Sequence, residues 1–178
     1  MPKRNIAATL SDQTTHMTFT VFQGLNVLCA GELSSRQGAH AEDRFIDEFL
    51  PQNAHNLAPP PAVNLCMIGL NRSPCTSVAR DGYPTTSNKT NGKAGCIERL
   101  SNLISNGFTH NGVTYRFTMI VSIRNLYGGD ADAEAASSNA MGHYAQLHNG
   151  ALEFDFQRRG GNSSTRFLST GTAKKLSM

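Results

Sequence analysis

Four residues in this chain have types and spacings suited to metal-assisted hydrolysis: His40, Glu42, Cys75 and Cys96. A neutral imidazole is a good zinc ligand, and a nearby carboxylate can shuttle protons to and from an activated water. Two-residue spacing in the first turn of a helix sends the His40 and Glu42 side chains in different directions. One is then free to face a metal while the other faces the adjoining cavity. With two thiols the set reaches three ligands and leaves a fourth position open, the mark of a catalytic rather than a structural zinc. Cys96 opens a helix, where unpaired amides and the dipole stabilise a thiolate. Cys75 and Cys96 sit among turn residues and either share a metal or close the intervening loop as a disulfide.

The elements that must position these residues follow from periodicity. Met17 to Phe22 alternates β-branched and aromatic residues and reads as a strand, and Asn26 to Leu33 reads as its antiparallel hairpin partner. Phe45, Ile46, Phe49 and Leu50 share one face of a helix predicted over Ala39 to Leu50, with Pro51 as its stop. Val63 to Leu70 is a near-continuous apolar run, the pattern of a strand buried on both faces. Asn71 to Gly95 is irregular, and a loop that long inside a compact domain is functional or disordered. Ile97, Leu100, Leu103 and Ile104 repeat at helical spacing from Cys96 until Gly107. Tyr115 to Ile123 reads as a strand, and Asp130 to His148 as an Ala-rich helix with acidic residues at its start. His40 and Cys96 therefore fall at helix starts and Cys75 just past a strand end, where ligands bind in α/β sheets.

The 178 residues fit one domain. Residues 1–14 read as a flexible N-terminus, 15–156 as the domain and 157–178 as a flexible basic tail. Apolar content of 39% suits a modest core and excludes fibrous and wholly disordered classes. Neither a secretory signal nor a transmembrane run is expected. The net charge of +3 favours a polyanionic partner. Cys29 and Cys66 lie in apolar runs and read as buried free thiols.

His40-Ala41-Glu42 followed by Pro74-Cys75 resembles the cytidine deaminase-like superfamily, whose signature is His-x-Glu and Pro-Cys-x-x-Cys. The order of elements is also similar, over roughly residues 17–148, although no leading helix is visible. Val78 stands at the usual second cysteine position, and the thiol arrives instead at Cys96, after an insertion. Ser73-Pro74-Cys75 with a delayed Gly95-Cys96 is similar to bacterial polymorphic-toxin deaminase domains that carry such an insert.

The resemblance implies an α/β fold, a three-layer α/β/α sandwich with a mixed sheet and helices on both faces. It implies Zn2+ held by His40, Cys75 and Cys96, with Glu42 as the catalytic acid/base. The implied reaction is hydrolytic deamination of cytosine to uracil in nucleic acid, with DNA ahead of RNA and single-stranded or duplex form left open. Such toxin domains act in the cytoplasm of a target cell or as secreted effectors, and an immunity protein is an expected partner. No membrane partner is expected. Candidate substrate-binding residues are Asn26, Ser73, Arg72, Tyr83, Arg124 and Tyr127. Arg80, Lys89 and Lys93 are available for phosphates, and Arg158 and Arg159 read as part of the basic tail. Two alternatives stand beside this reading. One is a free cytidine, deoxycytidine or nucleotide deaminase, and the other is a non-catalytic zinc or nucleic-acid binding module.

Overall fold

The computed structural model describes residues 14–36, 39–76, 95–126, 131–157, 163–167 and 173–177. It is a mixed α/β fold built on one mixed sheet. Strands β1 (His16–Gln23) and β2 (Asn26–Ser34) form the expected antiparallel hairpin. After helix α1 (residues 41–53) comes β3 (Val63–Leu70), and α2 (Cys96–Asn106) leads to a short β4 (Phe108–His110) and the long β5 (Val113–Ile123). Helix α3 (Ala131–His148) precedes β6 (Leu152–Gln157), β7 (Ser163–Phe167) and β8 (Ala173–Ser177).

The strand order is β2-β1-β3-β5-β6-β7-β8, with β4 paired to β5 outside this path. β3, β5 and β6 run parallel to their neighbours in that trio; the β1–β3, β6–β7 and β7–β8 pairings are antiparallel.

Register sorts the side chains into rows. Val21, Cys66, Met119 and Leu152 line up across four strands, followed by Phe19, Ile68, Val121 and Phe154, then Met17, Leu70 and Ile123. All of these are buried, and α1, α2 and α3 cover them with Phe45, Leu50, Ile97, Leu100, Met141 and Ala145. Because strand side chains alternate, the remaining residues of the same strands face the other way. On that face Val63 is 49% and Met67 46% exposed. β3 is therefore buried on one face and not on two. Its near-continuous apolar run masks the alternation that would have revealed this. The helical layer expected there has no member among the described residues.

Pro51 does not stop α1. The helix begins with Ala41–Arg44, widens into a π turn over Phe45–Phe49, and continues through Leu50–Asn53. Leu50 N–H donates to Phe45 O across that wide turn. Pro51 then lies in the first turn of a fresh α segment, where its missing amide is not needed. The C-terminal stretch also departs from expectation. Composition suggested a flexible basic tail beyond residue 157, whereas β7 and β8 extend the sheet from β6. An open strand edge presents unpaired amides and carbonyls, which recruit polar sequence as readily as apolar sequence.

Gly107 ends α2 as expected, with φ 76° and its N–H donating to Leu103 O. A Cβ there would lie 2.5 Å from Tyr115 O and 2.9 Å from Thr114 Cγ2. Positive φ and a backbone collision act together, so Gly107→Ala is expected to destabilise the fold by about 2 kcal/mol or more. Urea denaturation measures this directly; a change within about 0.5 kcal/mol would show that the α2–β4 junction relaxes freely.

Candidate metal centre

The centre lies beyond the carboxyl ends of the parallel strands β3 and β5. After β3 the chain is pinned on both sides. Asn71 N–H donates to His16 O at 3.1 Å, and Ser73 N–H to Asn125 O at 2.7 Å. The Asn71 side chain holds the start of β1 by accepting from His16 N–H at 2.7 Å and donating to Thr14 O at 3.0 Å. This fixes the path into Pro74 and Cys75. The N-terminus of α2 then receives Cys75 twice: Ile97 N–H donates to its carbonyl at 3.1 Å, and Cys96 N–H to its sulfur at 3.4 Å. Twenty residues separate the two cysteines in sequence, yet these bonds set them side by side.

His40 caps the N-terminus of α1 in an extended conformation. Its Nδ1 lies 3.3 Å from Cys96 Sγ and 3.4 Å from Cys75 Sγ. The three ligating atoms fall within 4.8 Å of one another. Both cysteines are fully buried, and all four cysteines of the chain are free thiols.

These distances test whether zinc fits. Tetrahedral arms of about 2.0–2.1 Å to nitrogen and 2.3 Å to sulfur put the two donors about 3.5 Å apart. The observed nitrogen–sulfur separations come within about 0.2 Å of that. One imidazole and two thiolates also form the borderline-soft donor set that zinc favours. Electrostatics prepares the set. The Cys75 thiol is shifted well down, chiefly by the hydrogen bond from the Cys96 thiol, against the opposing effect of burial, and with help from His40 and the Cys96 amide. Cys96, the donor in that pair and itself buried, is shifted up. Burial likewise pushes up the remote Cys66 and Cys29 thiols, consistent with inert core positions.

Glu42, two residues after His40, is 1% exposed. Its Oε2 has no hydrogen-bond partner. A buried carboxylate oxygen without a partner is costly in a folded protein and calls for a ligand-borne donor or a proton. Burial raises its pKa from 4.5 to about 7, with the Cys75 charge adding to the rise and the backbone amide and His40 opposing it. The raised value has a stability consequence. Between about pH 4.5 and 7 the folded protein keeps a proton that the unfolded chain has lost, so this group costs stability increasingly as pH rises through that window. In chelator-treated protein, Glu42→Gln is therefore expected to be stabilising by an amount that grows from pH 5 to pH 8, to an upper bound on the order of 3 kcal/mol. Parallel denaturant titrations of wild type and variant measure it; a pH-independent difference would mean that Glu42 ionises normally.

The other anticipated site residues scatter. Ser73 is buried beside the pinned loop, and Arg72 is half-buried next to it. Arg124 is exposed at the end of β5 and, with His16, Thr18, Asn71 and Ser122, lines a cavity of about 410 Å³ at the same end of the sheet. Asn26 is not brought to the centre. It pairs with Gln23 at the hairpin turn, the far end of β1 from His16, and β1 spans eight residues, roughly 25 Å. The end of β2 nearest the centre carries Ser34 instead. Tyr83, Arg80, Lys89, Lys93, Tyr127, Arg158 and Arg159 lie outside the described residues.

The sequence reading passed over three residues that the structure makes prominent. Asp43 Oδ2 accepts from His40 N–H at 3.0 Å, and Arg99 binds both Asp43 and Asp47 at 2.5 Å. The available signal was an acid three residues after a helix cap, the capping-box position.

Fold and site together define a mixed α/β protein with a candidate three-donor metal centre at strand carboxyl ends. No protein-family model matches the chain, and no curated protein matches it. Among the described residues no helix is long and apolar enough to cross a membrane.

Proposed function

We propose that this protein is a zinc-dependent hydrolytic deaminase acting on cytosine in nucleic acid, on a sheet and helix arrangement of the cytidine deaminase-like kind. The observation that carries the reading is the cluster of His40 Nδ1, Cys75 Sγ and Cys96 Sγ together with Glu42, whose buried Oε2 has no hydrogen-bond partner and whose carboxylate interacts electrostatically with His40 and Cys75. A structural zinc takes four protein ligands. Here the cluster has three members among the described residues, and beside them sits the buried carboxyl group of Glu42.

Held by these three donors, zinc would supply a Lewis acid able to make a water nucleophilic near neutral pH. His40, Cys75 and Cys96 would hold it, two of them as thiolates. Glu42 takes the proton from the attacking water. It passes that proton to the ring N3, then takes the second proton from the hydroxyl newly added at C4 and gives it to the departing amine, so ammonia leaves and the base becomes uracil. Burial favours the protonated form of Glu42, which suits a group that must give up a proton as well as accept one. A cytosine inside a duplex must be flipped out or presented single-stranded to reach a centre so deeply placed. The net charge of +3 and the exposed Arg124 favour a polymer over a free nucleoside.

The test is incubation of zinc-loaded protein with cytosine-containing single-stranded DNA, duplex DNA, RNA and free cytidine, with uracil quantified by mass spectrometry. Uracil in a polymer is the expected result. Uracil from free cytidine alone would reassign the substrate class. No uracil from any of them, with stoichiometric zinc bound, would overturn deamination of cytosine and leave a metal-binding module.

A further inference from the structure

An ion network one turn away from the metal donors joins the two helices that carry them. Asp43 is 6% exposed and uses its two carboxylate oxygens for different tasks. Oδ2 accepts from the backbone N–H of His40 at 3.0 Å, fixing the cap from which the imidazole departs. Oδ1 accepts from Arg99 Nη1 at 2.5 Å. Arg99 lies three residues after Cys96 on α2, and its guanidinium also spans both oxygens of Asp47 on α1, at 2.5 and 3.0 Å. Asp43 and Asp47 are four residues apart and so stand on one helix face. The arginine fork therefore clamps α1 at two successive turns. Its planar geometry fixes direction as well as distance, which a lysine point charge does not. Hydrogen bonds to both carboxylates hold Arg99 firmly protonated although it is partly buried.

The geometry points to Arg99 and Asp43 as positioning residues that set the separation of His40 Nδ1 from Cys96 Sγ before a metal arrives. Two features separate this role from ordinary surface pairing. Arg99 has a side-chain exposure of 24% and Asp43 of 9%, so the contact is shielded from solvent. The chain of contacts also runs without a gap from the amide of one ligand, through carboxylate and guanidinium, to the helix of another. Asp47, 59% exposed, is the outer and weaker anchor. Outer partners of metal ligands commonly govern affinity in this way, by holding donors in place and not by touching the metal.

The inference rests on the zinc reading but not on deamination, and it is tested by metal affinity. Zinc affinity is measured by competition with a chromophoric chelator for wild type, Arg99→Gln, Arg99→Lys and Asp47→Asn. Stability of each chelator-treated protein is measured in urea, and the thiolate-to-metal absorption of each Co2+-substituted protein is recorded. Arg99→Gln is expected to weaken zinc about 10- to 100-fold and to alter the Co2+ spectrum. Arg99→Lys should recover part of the affinity, and Asp47→Asn should cost no more than about 3-fold. Unchanged affinity in a folded Arg99→Gln protein overturns the positioning role. So does a loss of affinity that only tracks the loss of fold stability across the three variants. Absence of stoichiometric zinc in the wild type overturns the metal centre itself, an outcome visible before any variant is compared.

Discussion

Glu42→Ala is expected to reduce deamination by about 10²- to 10⁴-fold or more while zinc stays bound. The two halves of that result have separate causes. Zinc retention follows because Glu42 is no member of the donor cluster of His40, Cys75 and Cys96. Loss of turnover follows if the carboxylate is the proton carrier of the proposed reaction, a role for which its Oε2 has no protein partner to divert it. Glu42→Gln sharpens the result. It preserves volume and burial, so a loss of similar size isolates proton transfer from packing. Metal content by atomic absorption and uracil by mass spectrometry are read on the same samples. Near-wild-type turnover in either variant would remove Glu42 from the chemistry. Loss of zinc together with turnover would instead make it part of the metal's support.

Removing a donor should act on the metal itself. Apparent zinc binding energies of about 10–16 kcal/mol, shared among four coordination positions, assign about 2.5–4 kcal/mol to each. Cys96→Ala and Cys75→Ala are therefore expected to weaken zinc by about 10²- to 10³-fold. The change also removes a packing partner, since both thiols are fully buried against each other and Cys96 N–H bonds to Cys75 Sγ. Chelation of the wild type should lower its thermal midpoint for the same reason, because a metal held by the three donors would tie α1, α2 and the segment after β3 together. Cys66→Ala serves as the contrast. It deletes an equally buried thiol from the core, so stability should fall while zinc affinity holds. Equal zinc affinity in Cys96→Ala and wild type would break the three-donor assignment and return Cys96 to the core.

Several features of this protein are local and were therefore readable from the chain. The hairpin of β1 and β2, the α2 periodicity and the Gly107 stop each depend on a few neighbouring residues. So does the placement of His40 and Cys96 at helix starts, which follows from turn residues meeting apolar periodicity. The Pro51 reading failed because a π turn, across which Phe45 and Phe49 both pack on Phe19, resets the helix before the proline. Composition likewise gave no sign that Ser163–Phe167 and Ala173–Ser177 would pair onto β6, since strand addition is decided by an available edge.

The rest needed three dimensions. The near-continuous apolar run of β3 has little alternation to read, so only the rows of the assembled sheet show which face is covered. Asn26 looked well placed before the metal helix, but hairpin register sends it to the opposite end of β1. The partnership of Asp43 with Arg99 spans 56 positions and leaves no periodic trace. Types and spacing of residues by themselves determined which side chains were capable of the chemistry. Tertiary structure alone decided their distances, because loop closure between Cys75 and Cys96 and the docking of α1 on α2 are set by long-range hydrogen bonds and burial, which no short window of sequence contains.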